Sequence, residues 1–438
     1  MFNKGSAALM QEAPKDKPSM AGNSAAPHSP RSSKPRILFV AEAVTLAHVA
    51  RAFALMQSLD RNEFDACLAC DPRYDRLLSP APFSRRPIAS ISSERFVEAL
   101  AKGAPIFDLA TLRGYAREDL EVIDDFRPDL IVGDCRLSLA VSAEVARIPF
   151  VSITNAYWSP HSGFPIPMPE LPLTRLVGVR LARPTFRLTH RLVMSLHTIP
   201  LNKLRAEYGL SSLGKDLREI YSHSDRTLFA DVPQLYPNCK SLPDECWLGP
   251  VNWSPAVPLP EWWNDLPNNR PIVYVTLGSS GRHELAATTL KALADVNVTV
   301  LCATLGRLRA DQLPRNAFAG DYLPGEQAAA RSNLVVCNGG SPTTQQAFAA
   351  GVPVLGIAGN MDQHLNMQAV SDFGAGLLLR SEHAHEPRIR HAAETLLRDQ
   401  RAATRARELQ GHFAAYDAPA RFRSCVARML AARSVTSW

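Results

Sequence analysis

The sequence predicts an α/β protein of two parallel-sheet domains. Two observations predict it. Short apolar runs alternate with helical patterns from Arg36 onward, which is the rhythm of βα units whose strands are covered on both faces. A length of 438 residues exceeds one such domain and suits two with their connections. The dinucleotide fingerprint Gly-x-Gly-x-x-Gly is missing after the first strand, which argues against an NAD or FAD enzyme.

Residues 1–34 are Ala, Ser, Pro, Lys and Met without period, a composition that cannot bury enough surface to fold. They lack an apolar h-region and read as a disordered tail rather than a signal peptide. The first domain, residues 35–250, opens with the compact strand 36–41. A turn leads into a helix with Val49, Phe53, Met56 and Leu59 at helical spacing, so His48 stands at the helix start. That is above the carboxyl end of the strand, where a parallel sheet collects its functional groups. A strand at 64–69 and helical patterns at 94–102 and 112–126 follow. Pro128 then sets the entry to a buried strand that Asp134 ends. A helix near 137–147 and a strand at 150–154 complete the alternation.

Beyond Asn155 the pattern loosens. Tyr157 and Trp158 directly follow a strand end and are expected to line the cleft, where an aromatic ring can stack on an acceptor, with core packing of Trp158 the alternative. From 175 to 205 there are seven basic residues and no acid: Arg175, Arg180, Arg183, Arg187, Arg191, Lys203 and Arg205. A solvated basic face is the plain reading, and an anionic membrane surface or an acidic acceptor the sharper one. A net charge of +6 is modest for this length and does not argue for nucleic acid. No run of about 18 apolar residues exists to span a bilayer. The eight scattered cysteines lack zinc spacing and read as reduced thiols. The expected location is cytoplasmic, peripheral at the inner face of the membrane.

Residues 251–271, rich in Pro, Trp and Asn, read as an interdomain linker. The second domain, 272–415, opens with the strand 272–277 and turns at Gly278, Ser279 and Ser280. After a strand at 298–303 comes the most informative stretch. A β-rich run at 334–337 breaks at Asn338-Gly339-Gly340-Ser341-Pro342-Thr343, and a helix follows to about 350. Such a turn aims unpaired backbone N–H groups and the positive end of a helix at one spot, which suits a phosphate. The next strand, 354–357, ends in a polar loop holding Asp362 and Gln363. Adjacent parallel strands share one crevice at their carboxyl ends, so this pair faces whatever the glycine turn holds. A phosphate at one end and a carboxylate with an amide at the other describe a nucleotide-sugar site. A helical pattern within 416–438 closes the chain. The His383-Ala384-His385-Glu386 run reads as a polar turn before a helix rather than a metal site.

These residues resemble the donor signature of family 1 glycosyltransferases, the bacterial UDP-glycosyltransferase-like enzymes of GT-B fold. That signature joins a His-x-Gly turn, a Ser/Thr five residues after the His, a Gly-Val-Pro and an acidic residue followed by Gln. With Asn338 in the His position, this chain has Gly340, Thr343, Gly351-Val352-Pro353 and Asp362-Gln363 in register without a gap. The resemblance extends over residues 36–433. It implies His48 as catalytic base and Asp134 as the carboxylate that orients it, although Ala47 replaces the family's preceding glycine. Glu42 is the rival base. The resemblance also implies donor contacts from Gly278, Ser279, Ser280, Leu323, Asn338, Gly340, Ser341, Thr343 and Gln346, and a last helix that crosses back onto the first domain.

The implied activity is inverting, metal-independent transfer of a hexose from a nucleotide diphosphate sugar to a hydroxyl of a small-molecule or lipid acceptor, with no cofactor. UDP ranks first as carrier and dTDP second. Asn338 replaces a His, and Gln346 stands where many UDP-sugar users grip the ribose with Glu; a deoxyribose donor needs fewer such bonds. Those two changes keep alternatives in view: a non-catalytic nucleotide-sugar-binding protein, or an epimerase of related architecture.

Overall fold

The structure is a computed structural model and describes residues 34–78, 83–170, 172–240, 242–267, 269–278, 284–306, 308 and 313–436. The expected N-terminal tail, but for its last residue, lies outside them. Among the described residues there are thirteen strands in two sheets. The first sheet holds β1 (Arg36–Ala41), β2 (Asp65–Cys70), β3 (Ser84–Pro87), β4 (Leu130–Asp134), β5 (Phe150–Thr154), β6 (Arg226–Phe229) and β7 (Glu245–Trp247). The second holds β8 (Ile272–Thr276), β9 (Thr299–Ala303), β10 (Ala317–Gly320), β11 (Leu334–Cys337), β12 (Val354–Ala358) and β13 (Gly376–Arg380).

Every strand pair is parallel, and helices run between the strands. In the first half these are α1 (Leu46–Gln57), α2 (Ser93–Lys102), α3 (Leu109–Phe126), α4 (Leu139–Ala146), α5 (Pro172–Leu196), α6 (Ile199–Glu207) and α7 (Leu217–Ser222). In the second they are α8 (Glu284–Leu293), α9 (Gly325–Ala330), α10 (Ser341–Ala349), α11 (Met361–Phe373), α12 (Glu386–Arg398), α13 (Gln400–Ala414) and α14 (Ala418–Thr436). Central strands such as β4 and β12 are buried along their whole length, as sheets covered on both faces require. The sheets are thus the two Rossmann-like units of a GT-B fold.

The strand orders are β3-β2-β1-β4-β5-β6-β7 and β10-β9-β8-β11-β12-β13. In each sheet the chain winds first to one side of its opening strand and then to the other. The switch points fall between β1 and β4, where Ala41 pairs with Asp134, and between β8 and β11, where Thr276 pairs with Cys337. Loops diverge there and leave a crevice at the carboxyl ends. Of the strands that sequence periodicity misses, β3, β7, β10 and β13 are sheet edges, and β6 lies next to the edge strand β7. Edge strands are short or polar, and β3, Ser-Arg-Arg-Pro, is largely exposed.

The last helix, α14, packs on the first sheet. Phe422 is fully buried with its ring 5.8 Å from Phe39, beside Cys425 and Val426 in the core that also holds Phe53 and Val132. Where the chain leaves β7, Gly249 has φ +88, and a Cβ there would stand 2.3 Å from the Cβ of Tyr416. The first half therefore passes against the approach to α14 in a space only glycine fits.

The basic stretch forms most of α5, which is broken at Gly178 and contains Pro184. Arg187 and Arg191 are exposed. The side chains of Arg175, Arg180 and Arg183 lie outside the described residues. Arg205 departs from the expectation: it is buried, donates to the carbonyl of Ala140 and pairs with Glu144 at 2.9 Å. Among the described residues no helix is long and apolar enough to cross a membrane.

Candidate active site

One cavity of about 910 Å³ receives residues from the carboxyl ends of both sheets. On the side of the first sheet, β1 and α1 deliver His48, and β4 delivers Asp134. The imidazole Nδ1 lies 2.7 Å from Asp134 Oδ1. Asp134 is completely buried, while the His48 side chain keeps 22 % exposure and lines the cavity. With Nδ1 facing the carboxylate, that nitrogen carries the proton in the neutral ring, and Nε2 of that form faces the cavity as the acceptor.

Arg51 stands one turn after His48 on α1 and was not anticipated from sequence. Its Nε and Nη2 each donate to Asp134 at 2.8 Å, and Nη2 also lies 3.2 Å from His48 Nδ1. Its Nη1 donates to Asn155 Oδ1 at 2.7 Å. The i,i+3 spacing from His48 places it on the same helix face, which is the one signal the sequence held for it. Burial opposes charge on His48, but the neighbouring Cys135 sulfur and the Asp134 carboxylate outweigh it and push the imidazole up to about 10. Glu42, the rival base, is fully buried, pairs with Arg136 at 3.4 Å and is not among the residues lining the cavity.

On the opposite side, β8 is followed by Gly278 in a left-handed conformation, φ +61, close against the Asn338 side chain. Ser279 and Ser280, expected to complete this turn, lie outside the described residues. After β11, Asn338 Oδ1 accepts from the Gly340 N–H at 3.2 Å, a local turn that turns the chain into α10. Helix α10 has Gly340 as its cap and Pro342 in its first turn. Gly340, Ser341 and Thr343 all line the cavity, so its unpaired N–H groups and positive end are offered there. Leu323 lines the same wall.

Gln346 is also present, but its amide nitrogen is committed: it donates to the Trp253 carbonyl at 2.9 Å and to Ser254 Oγ at 3.2 Å. Asp362 and Gln363 sit in the first turn of α11 after β12. Gln363 Oε1 accepts from the Gly359 N–H at 2.9 Å, which stiffens the loop. Asp362 Oδ1 accepts from the Tyr157 hydroxyl at 3.0 Å and from Trp158 Nε1 at 2.9 Å.

That last contact corrects the expectation for Tyr157. The residue does not line the cavity; it is buried, its ring packs against Tyr236, and its hydroxyl reaches the other sheet's loop. Trp158 does line the cavity, stacked on Tyr221 with ring centroids 4.6 Å apart. The remaining lining is largely apolar and includes Phe96, Ile106, Phe107, Phe186, Val193 and Met194. Chemically, the cavity joins a carboxylate-held imidazole, the N-terminal end of α10, a polar corner at Asp362 and a wide apolar wall.

The chain is similar to several known proteins. Residues 287–429 match the family model described as erythromycin biosynthesis protein CIII-like, C-terminal domain. The chain is 54 % identical over 354 residues to a PGL/p-HBAD biosynthesis rhamnosyltransferase of Mycobacterium tuberculosis (strain CDC 1551 / Oshkosh), spanning 81 % of this chain and 79 % of the relative. It is 50 % identical over 380 residues to a PGL/p-HBAD biosynthesis glycosyltransferase of Mycobacterium tuberculosis (strain ATCC 25177 / H37Ra), spanning 86 % and 89 %. Among solved structures it is similar to the spinosyn forosaminyltransferase SpnP, with a TM-score of 0.67 at 19 % identity over 91 % of this chain and 100 % of that one.

The geometry at His48 makes a titration prediction. The NMR midpoint of its imidazole should lie well above the ordinary value of about 6.5. Because the folded value is raised, His48 adds stability that is complete below about 6.5 and lost as pH climbs through about 10. A midpoint at or below 6.5 contradicts the account.

Proposed function

Since the chain belongs to the family of the PGL/p-HBAD biosynthesis glycosyltransferases, bacterial family 1 enzymes of GT-B fold, and so transfers a hexosyl group from a nucleotide sugar to an acceptor, we propose that it does so with inversion, from a dTDP-linked 6-deoxyhexose to a hydroxyl of a hydrophobic acceptor. The observation that carries the mechanism is the His48–Asp134 contact of 2.7 Å, in the same cavity as the first turn of α10.

In its neutral form, with the proton on Nδ1, His48 takes the acceptor's hydroxyl proton at Nε2 as the oxygen attacks the anomeric carbon. The bond from that carbon to the diphosphate breaks, and its electron pair leaves with the nucleoside diphosphate. One displacement from the face opposite the leaving group inverts the anomeric centre. Asp134 stabilises the imidazolium that forms. The leaving charge meets the backbone N–H groups and positive end of α10, with Asn338 beside them, so the reaction is proposed to run without a metal. Asp362 and Gln363 read the sugar, and Leu323 flanks the nucleobase.

The carrier follows from Gln346. A Glu there would grip both ribose hydroxyls, but here the amide nitrogen is spent on Trp253 and Ser254, leaving one neutral acceptor oxygen. A deoxyribose asks for no more, which moves dTDP ahead of the UDP carrier that sequence alone ranks first. For the sugar, Asp362 Oδ1 already accepts two hydrogen bonds, so fewer sites remain for sugar hydroxyls. A relative named rhamnosyltransferase, a 6-deoxyhexose user, points the same way.

The acceptor class rests on the apolar cavity wall and on α5. Phe186, Val193 and Met194 of that helix line the cavity, while Leu188 and Leu192 are 86 % and 66 % exposed beside Arg187 and Arg191. Exposed leucines flanked by arginine suit an anionic bilayer, each basic residue near it adding about 1 kcal/mol. We therefore place the enzyme peripherally at such a surface, its acceptor a lipid or other amphiphile.

Thermal-shift titration should show larger stabilisation by dTDP than by UDP, Gln346→Glu should narrow or reverse that order, and NMR of the product should show an inverted anomeric centre. Stronger stabilisation by UDP in the wild type, or retention at the anomeric carbon, refutes the donor or the mechanism respectively. Separately, the protein should co-sediment with anionic vesicles at low salt and be released as salt screens the attraction. Equal recovery in the supernatant with and without vesicles defeats the membrane reading.

A further inference from the structure

A chain of buried polar side chains leads away from the catalytic pair and ends on the opposite half of the molecule. Asp134 is held by Arg51, whose remaining arm, Nη1, donates to Asn155 Oδ1 at 2.7 Å. The same oxygen accepts from Ser341 Oγ at 3.3 Å, and Ser341 is the first residue of α10. Asn155 Nδ2 donates to Asp231 Oδ2 at 3.0 Å, and that oxygen also accepts from the Ala156 N–H at 2.7 Å. Asp231 Oδ1 in turn accepts from Gln345 Nε2, again on α10, at 3.2 Å. Arg51, Asn155, Asp231, Ser341 and Gln345 are all buried.

We propose that Arg51 and Asn155 are positioning residues that tie the orientation of the His48–Asp134 pair to occupation of the donor end of α10. This rests on the reading of His48 as base and α10 as the diphosphate site.

Three physical points carry it. A carboxylate as buried as Asp134 keeps its charge and direction only while its oxygens are satisfied, and Arg51 supplies two of the three bonds given above. The guanidinium is planar and rigid, so fixing Nη1 on Asn155 fixes the fork that holds Asp134. The Asn155 carbonyl oxygen is shared between Arg51 and Ser341, and the Ser341 hydroxyl stands in the first turn of α10, where the diphosphate is to bind. When that hydroxyl turns to a phosphate oxygen, Asn155 Oδ1 is left to Arg51 alone. The Arg51 bond strengthens and Asp134 is drawn to one orientation, so the base is best aligned when a donor is present. Asp231 holds Asn155 from behind; burial pushes its carboxyl up to about 7 against the bonds it accepts from Ala156 and Asn155.

The test compares Asn155→Ala and Arg51→Lys with wild type, measuring kcat, the donor KM and the rise in Tm given by dTDP, with His48→Ala assayed alongside. Asn155→Ala removes the shared oxygen, and Arg51→Lys keeps the charge but cannot span both Asp134 and Asn155. Each should lower kcat about tenfold or more while donor KM stays within about threefold and the dTDP-induced Tm rise is kept. If Asn155→Ala fails to fold, Arg51→Lys still decides. Wild-type kcat in the folded variants overturns the proposal, as does a raised donor KM with kcat unchanged, which would make Asn155 a wall of the donor site only. Activity retained in His48→Ala would instead refute the reading on which the relay rests, so the two failures are told apart.

Discussion

The structure depends on keeping a fully buried carboxylate charged. Asp134 ends the central strand β4 with no exposure, and an ionised carboxylate there is tolerable only with partners that replace water. Arg51 supplies a two-pronged bond and His48 a single one. Withdrawing one member of such a buried group typically costs about 3–5 kcal/mol, because it strands the charge of the others. The same constraint that stabilises the strand end therefore fixes where the imidazole points. A second buried ionic group lies close by, where Arg136 is paired with Glu42 and Asp119 and its guanidinium packs over the Tyr115 ring. It accounts for Glu42 as a framework residue.

Chain topology does the rest of the positioning. Both sheets reverse their winding beside their opening strand, and both sets of functional groups emerge from those reversals. His48 and Asp134 come from the β1/β4 switch, and Gly278 and Asn338 from the β8/β11 switch. The halves also meet through direct side-chain bonds: Tyr157 and Trp158 to Asp362, Gln345 to the Ala230 carbonyl and Asp231, and Ser341 to Asn155. His48 and Asp134 on one side and Gly278, Asn338 and the start of α10 on the other are thereby set within one cavity although they belong to different sheets.

Much of this is legible in the sequence because it is local or periodic. The glycine turn, the cap and the first turn of α10 are contiguous, so their anion-binding character can be read directly. Asp362 and Gln363 follow from their place after a strand. The pairing of His48 with Asp134 spans 86 positions, and it becomes readable only because parallel strands bring their carboxyl ends together. What stayed hidden is long-range and polar. Arg51 looks like a solvent-facing helix residue until its carboxylate is placed beneath it. Tyr157 looks like a cleft aromatic, but its hydroxyl finds Asp362, 205 positions away. Gln346 shows its residue type in the sequence but not that its nitrogen is already engaged by Trp253 and Ser254. Edge strands such as β3 escaped because their exposed faces carry no hydrophobic period.

The central claim is that proton removal belongs to the first sheet and donor binding to the second, and one assay addresses it directly. Transfer rate and nucleotide affinity are measured together for wild type, His48→Ala and Asp134→Asn. The account predicts that His48→Ala loses on the order of 100-fold or more in transfer, that Asp134→Asn loses rate because an amide cannot offset the charge of the imidazolium, and that both bind the nucleoside diphosphate as wild type does. Undiminished transfer by His48→Ala, or loss of nucleotide binding in either folded variant, would contradict it.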